Sequence, residues 1–115
     1  MITVDRNALN YARLFITLGS VVRLKILKFL YNKKEASVSE IVYELRVNLP
    51  LVSRHLTVLK NAHIVKYRRE KNRIYYSIID TKIDTKRERR MPVDLLKVLK
   101  PYFLAVEKNN QRIDK

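Results

Sequence analysis

The chain has 115 residues, 47% of them hydrophobic, enough for one compact domain (1–115) with its own core. Lys and Arg number 25 against 11 Asp and Glu, a formal net charge of +14 that points to a polyanionic partner. The absence of cysteine excludes disulfides, thiolate metal sites and cysteine nucleophiles, and no apolar run reaches the length of a membrane span or a signal-peptide core, so a cytoplasmic, nucleoid-associated protein without membrane contact is expected.

Asp5 to Leu18 reads as a first helix, with Asp5 as its N-cap and Ala8, Leu9, Ala12, Phe15 and Ile16 as apolar positions. Gly19 ends it and Ser20 caps the next. Val21 to Tyr31 is apolar almost all round, the pattern of a central helix in a small bundle. Arg23 falls inside that apolar arc, which predicts a buried stem and a head group paired within the protein. Asn32 to Ala36 reads as a polar turn. Ser37-Val38-Ser39-Glu40 then fits a capping box, opening a third helix to about Arg46 that buries Val38, Ile41, Val42 and Leu45.

Asn48 caps a fourth helix, NLPLVSRHLTVLKN, with Pro50 in its first turn, where a missing N–H has no cost. At 100° per residue, Leu51, Val52, His55, Leu56, Val58 and Leu59 share one arc, and Pro50, Ser53, Arg54, Thr57 and Lys60 share the other. A small, hydrogen-bonding, positive face on an anchored helix suits a DNA major groove. Two helices joined by so short a turn form a helix-turn-helix, here about 37–61.

Beyond Asn61 the period becomes alternating. Val65 to Glu70 and Arg73 to Ile79, joined at Lys71-Asn72, read as a hairpin pairing Glu70 with Arg73 and Tyr67 with Tyr76, with Asn72 taking the left-handed backbone of the turn. Val65, Tyr67, Tyr76 and Ile78 then face the core, while Lys66, Arg68, Glu70, Arg73, Tyr75 and Ser77 face out. This hairpin, about 64–79, is the wing of a winged helix. Residues 80–91 form a charged linker containing KRERR, a solvated loop with a possible second phosphate contact. The region 92–110 is a last apolar helix that Pro101 should kink or split. Coming after a core already supplied, it suggests a dimer interface; packing onto the first helix of its own subunit is the alternative.

The stretches LGSVVRLKILKFL, ASVSEIVYEL and LPLVSRHLTVLKNAHIVKYRREKNRIYYSI resemble the ArsR-type winged-helix transcriptional repressors over roughly Leu18 to Ile79. The V-S-R-H-L-x-V-L-K helix and the R-x-I-Y-Y-S strand are the most specific pieces. The resemblance implies a mainly α winged helix-turn-helix with a small β-hairpin. It also implies a homodimer held by the first and last helices, with two recognition helices in successive major grooves of a near-palindromic operator. Family DNA contacts fall here on Leu49, Pro50, Ser53 and Arg54. Leu49 and Pro50 cannot hydrogen-bond bases, which leaves Arg54 as the candidate for a two-point guanine contact and Ser53 for a base edge or a phosphate. Many members carry a metal-binding thiolate motif at the start of the third helix, where this chain has Ser37 and Ser39, and serine is a poor ligand for such metals. Others use His and carboxylates on the last helix, but no histidine occurs here beyond Tyr76. His55 and His63 read as structural, and neither a metal nor another cofactor is expected.

Three function classes follow. A sequence-specific, dimeric regulator of double-stranded DNA, most simply a repressor, would read bases with Ser53 and Arg54. Asn48 and Thr57 would stand beside them, and Lys60, Lys66, Arg68, Arg69, Lys71, Asn72 and Arg73 would hold the backbone. From Asn48 to Tyr75 seven basic residues face Glu70 alone. The alternative is a non-specific architectural, nucleoid-type binder, favoured by the apolar start of the fourth helix. A winged helix used for protein contact would need an apolar patch in place of that basic face. An enzyme is not expected, since no Gly-rich phosphate loop, paired carboxylates or nucleophile–base set is visible.

Overall fold

The computed structural model describes residues 5–79 and 95–105, in the order α1 (Arg6–Leu18), α2 (Val21–Lys33), β1 (Ala36–Ser37), α3 (Val38–Leu45), α4 (Leu49–Asn61), β2 (Val65–Glu70), β3 (Arg73–Ile78) and α5 (Leu95–Leu104). The linker 80–91 and both ends of the region 92–110 lie outside the described residues.

Local chemistry sets the helix starts. Asp5, Ser20 and Asn48 each accept a bond from the backbone N–H three residues on, at 2.6, 3.3 and 2.9 Å, and so satisfy donors that a first turn leaves unpaired. The capping box of α3 is complete: the Glu40 N–H donates to the Ser37 hydroxyl and the Ser37 N–H donates to the Glu40 carboxylate. α2 runs two residues further than its apolar pattern indicates, through Asn32 and Lys33, and stops where Lys34 takes φ +80°.

The polar turn expected at Asn32 to Ala36 is therefore only partly a turn. Ala36 and Ser37 form a third strand, antiparallel to β3 with Ala36 opposite Tyr76 and Ser37 opposite Tyr75, so the sheet order is β1-β3-β2. The hairpin register is the expected one, with Glu70 opposite Arg73 and Tyr67 opposite Tyr76. Its turn differs in one respect: the positive φ, 58°, falls on Lys71 and not on Asn72.

Ile26, Leu27 and Leu30 of α2 lie at the centre of the core, with Ile41, Val52, Leu56, Leu59, Ile64 and Val65 around them. α5 adds Leu95 and Phe103, both fully buried, and the Phe103 ring stacks on Tyr31 at 4.8 Å. The core is thus not complete without the last helix, contrary to the sequence expectation, and α5 packs on α2. Nor does Pro101 split it. The helix continues from Leu95 to Leu104 with Pro101 inside it, and buried side chains on both sides of the proline, Leu95 and Phe103, anchor it to the core. α1 contributes Leu14, while Leu9, Phe15 and Ile16 point outward.

Candidate nucleic-acid interface

α3 and α4 meet across Arg46, Val47 and Asn48, with Arg46 in the left-handed region at φ 58°. That turn fixes the exit of α4, whose inner face is locked by Val52, Leu56 and Leu59. The opposite face carries exposed Leu49, Pro50, Ser53, Arg54 and Thr57, with Asn48 exposed at the cap and Lys60 half-buried at the far end. Ser53, Arg54 and Thr57 therefore project from a helix whose orientation is set by its buried face. Thr57 donates its hydroxyl back to the Ser53 carbonyl at 3.0 Å. Lys60 sits over the Tyr67 ring, 5.4 Å from its centroid, which ties the end of α4 to the wing.

His55 belongs to the packing of this helix, as its place in the apolar arc suggests. Its Nδ1 accepts from Arg23 Nε at 3.1 Å, and Arg23 Nη1 donates to the Thr17 carbonyl at 3.0 Å. The partly buried Arg23 head is thus paired inside the protein and bridges the last turn of α1 to α4. Burial, then the Arg23 and Arg54 charges, hold the His55 pKa below its ordinary value. His63 is exposed with φ 61° in the bend between α4 and β2.

On the wing, Lys66, Arg68, Arg69, Lys71, Asn72 and Arg73 are all exposed. Their electrostatic situations differ. Arg69, Lys71 and Arg73 carry no ion pair among the described residues. Arg68 Nε and Nη2 donate to the two oxygens of Glu35 at 3.0 and 2.7 Å, and Nη1 donates to Glu70 at 2.6 Å. Its guanidinium also lies 4.7 Å from the Tyr75 ring centroid. Glu35 is the residue that sequence reasoning missed. It lies 33 positions from Arg68, and no local signal connects them.

Among the described residues, no three His, Asp or Glu side chains come together in a way that could hold a metal ion. The Ser37 hydroxyl is occupied as a cap.

A helix-turn-helix with an exposed, basic second helix and a basic wing is the arrangement that the comparisons with known proteins can test. The family model described as "Bacterial regulatory protein, arsR family" matches residues 20–67, from the Ser20 cap into β2. An HTH-type transcriptional regulator of Methanocaldococcus jannaschii is 39% identical over 72 residues, 63% of this chain and 81% of that protein. The chain belongs to the ArsR family. The transcriptional repressor PagR of Bacillus anthracis is 34% identical over 73 residues, 64% of this chain and 73% of PagR. Among solved structures, the transcriptional repressor BigR of Xylella fastidiosa superposes with a TM-score of 0.70 at 29% identity, covering 90% of this chain and 92% of BigR. The homodimeric winged helix-turn-helix DNA-binding domain of Mb0332 from Mycobacterium bovis gives 0.63 at 29%, covering 91% and 94%. The ArsR-family chain is therefore a DNA-binding transcriptional regulator with a winged helix-turn-helix fold, a class of protein that is not enzymatic. No helix among the described residues is long and apolar enough to cross a membrane.

Proposed function

We propose that the protein is a homodimeric, sequence-specific repressor that places α4 of each subunit in successive major grooves of a near-palindromic operator. One observation carries this reading: Ser53, Arg54 and Thr57 stand exposed on a helix whose other face is buried to the last atom at Val52, Leu56 and Leu59. Arg54 reads a guanine by two hydrogen bonds, and Ser53 bonds a base edge or a phosphate. Lys60, Lys66, Arg69, Lys71 and Arg73 hold backbone phosphates, with Asn48, Thr57 and Asn72 beside them. Leu49 and Pro50 offer apolar contact, such as to a thymine methyl. Likeness to PagR and BigR, both transcriptional repressors, and to the homodimeric Mb0332 domain supports repression and dimerisation in this chain.

Selection of binding sites from a random duplex pool tests the proposal, and an inverted repeat is the expected outcome. Half-sites should lie about one helical turn apart. Arg54→Ala should erode the preference for operator over random DNA by about 1–3 kcal/mol, whereas Arg69→Ala should weaken both alike and reduce the salt slope by about 0.9. Leu49, 53% exposed at the front of α4 and unable to bond a base, favours a second reading as a non-specific architectural binder. Under that reading no motif emerges from the pool, and Arg54→Ala leaves the operator-to-random ratio at one.

A further inference from the structure

Arg68 stands on the outward face of the sheet, in the middle of the basic wing, and by charge alone would count as a phosphate contact. Its surroundings say otherwise. All three guanidinium nitrogens already donate to carboxylates: Nε and Nη2 to the two oxygens of Glu35 as a parallel fork, Nη1 to Glu70. The plane rests on Tyr75. One cation thus meets two anions, and the cluster carries a net negative charge. Three of its five N–H donors are taken, and a phosphate brought to the two left on Nη1 and Nη2 would have to approach Glu35 and Glu70 together.

The position of Glu35 shows what the fork does instead. Glu35 lies between Lys34, where α2 ends, and β1, two residues ahead of the Ser37 cap that launches the helix-turn-helix. Among the described residues, β2 is an outer strand that pairs only with β3. By reaching over Tyr75 of β3 to Glu35, Arg68 joins the far strand of the wing to the segment leading into α3. The link spans all three strands. Isolated exposed ion pairs contribute little, but a two-point Arg–carboxylate bond with a second carboxylate and an aromatic support is the geometry in which such pairs hold. Glu35 is kept ionised by the same bond, which lowers its pKa.

We infer that Arg68 is a positioning residue for DNA binding, a clamp that sets the wing relative to the helix-turn-helix through Glu35, and not one of its phosphate contacts. The inference rests on the reading that α4 and the wing together engage DNA. It predicts that Glu35, an acidic residue, assists the binding of a polyanion.

The test measures affinity of the full chain for a 30-base-pair-scale duplex (roughly three helical turns) against salt, for wild type, Glu35→Gln, Arg68→Gln, Arg68→Lys, the Glu35→Gln/Arg68→Gln pair and Arg69→Gln. Glu35→Gln and Arg68→Gln should each weaken binding on the order of threefold to tenfold with the salt slope unchanged, and the pair should lose no more than either alone. Arg68→Lys, which keeps the charge but loses the fork, should behave like Arg68→Gln. Arg69→Gln should lower the slope by about 0.9. If Arg68 holds a phosphate, Glu35→Gln tightens binding, Arg68→Lys stays near wild type and Arg68→Gln flattens the slope, and any of these overturns the clamp. Amide hydrogen exchange of the free protein gives the readout that needs no DNA. Amides of β2 should exchange faster in Glu35→Gln and Arg68→Gln, and unchanged exchange in both also overturns the clamp. Should wild type fail to bind any duplex, the DNA reading fails while the exchange result still stands on its own.

Discussion

Individual side chains here do their work through partners far away in sequence. Arg23 bonds His55 across 32 positions and Arg68 bonds Glu35 across 33. The first could be half anticipated, because an arginine inside an apolar arc must find an internal partner; the second could not, since Glu35 sits in an ordinary polar turn. The Arg23 bond requires a neutral His55, whose Nδ1 accepts. With its folded pKa held below 6.5 by burial and by Arg23 and Arg54, His55 takes up a proton in the unfolded chain at a higher pH than in the folded one. Its contribution to stability is complete above the unfolded value and is lost as pH falls through it toward the folded value. Urea midpoints taken at about pH 7.5 and about pH 5.5 should fall more for wild type than for His55→Gln, and parallel falls would remove His55 from the account. Ser37 offers a second residue-scale test. It is 4% exposed and forms both halves of the α3 capping box. Ser37→Ala should cost about 1–2 kcal/mol, read as a drop of several degrees in the melting temperature.

Elements whose chemistry is local were legible from sequence. The caps at Asp5, Ser20, Ser37 and Asn48, and the 70–73 and 67–76 pairings of the hairpin, follow from neighbours within a few positions. β1 was not legible, because two residues, Ala36 and Ser37, show no period, and their strand character comes only from Tyr75 and Tyr76 of β3. α5 was recognised as a helix, but its share of the core was not. Its apolar residues alone could not separate those facing α2 from those facing out, and Pro101 suggested a break that tertiary packing overrides. The recognition face of α4 was legible as a surface, whereas the state of the basic wing was not, since Arg68 and Arg69 look alike until their partners are known. The corrected role of α5 makes a prediction. Phe103, 1% exposed and stacked on Tyr31, should behave as a core residue, so Phe103→Ala should destabilise the fold by about 3–5 kcal/mol in urea unfolding. A loss under about 1 kcal/mol would return α5 to the status of an appended helix.

At the scale of the whole molecule, the question is what the two flanking helices do with the apolar side chains they leave outside. α1 buries Leu14 but exposes Phe15 at 63% and Ile16 at 74%, and α5 buries Leu95 and Phe103 but exposes Val98 at 57% and Leu104 at 59%. A chain with 25 basic residues has no shortage of polar side chains for a solvent face. Large apolar groups in such positions on both helices fit a surface that a second copy covers. Such an interface would govern binding more strongly than any single contact. A dimer engages two half-sites, and once one subunit is bound the second binds at an effective concentration set by the interface. Ile16→Asp with Val98→Asp alters only exposed positions, so it should leave the helical circular dichroism close to wild type while sedimentation shifts from dimer to monomer, and the unfolding midpoint should lose its dependence on protein concentration. Affinity for an inverted-repeat operator should then fall by at least about a hundredfold, while affinity for a single half-site changes little. A variant that remains dimeric would assign the exposed α1 and α5 residues to another purpose. One that becomes monomeric yet holds the operator unchanged would mean that a single recognition helix and wing suffice, and the palindrome would no longer follow from the protein's symmetry.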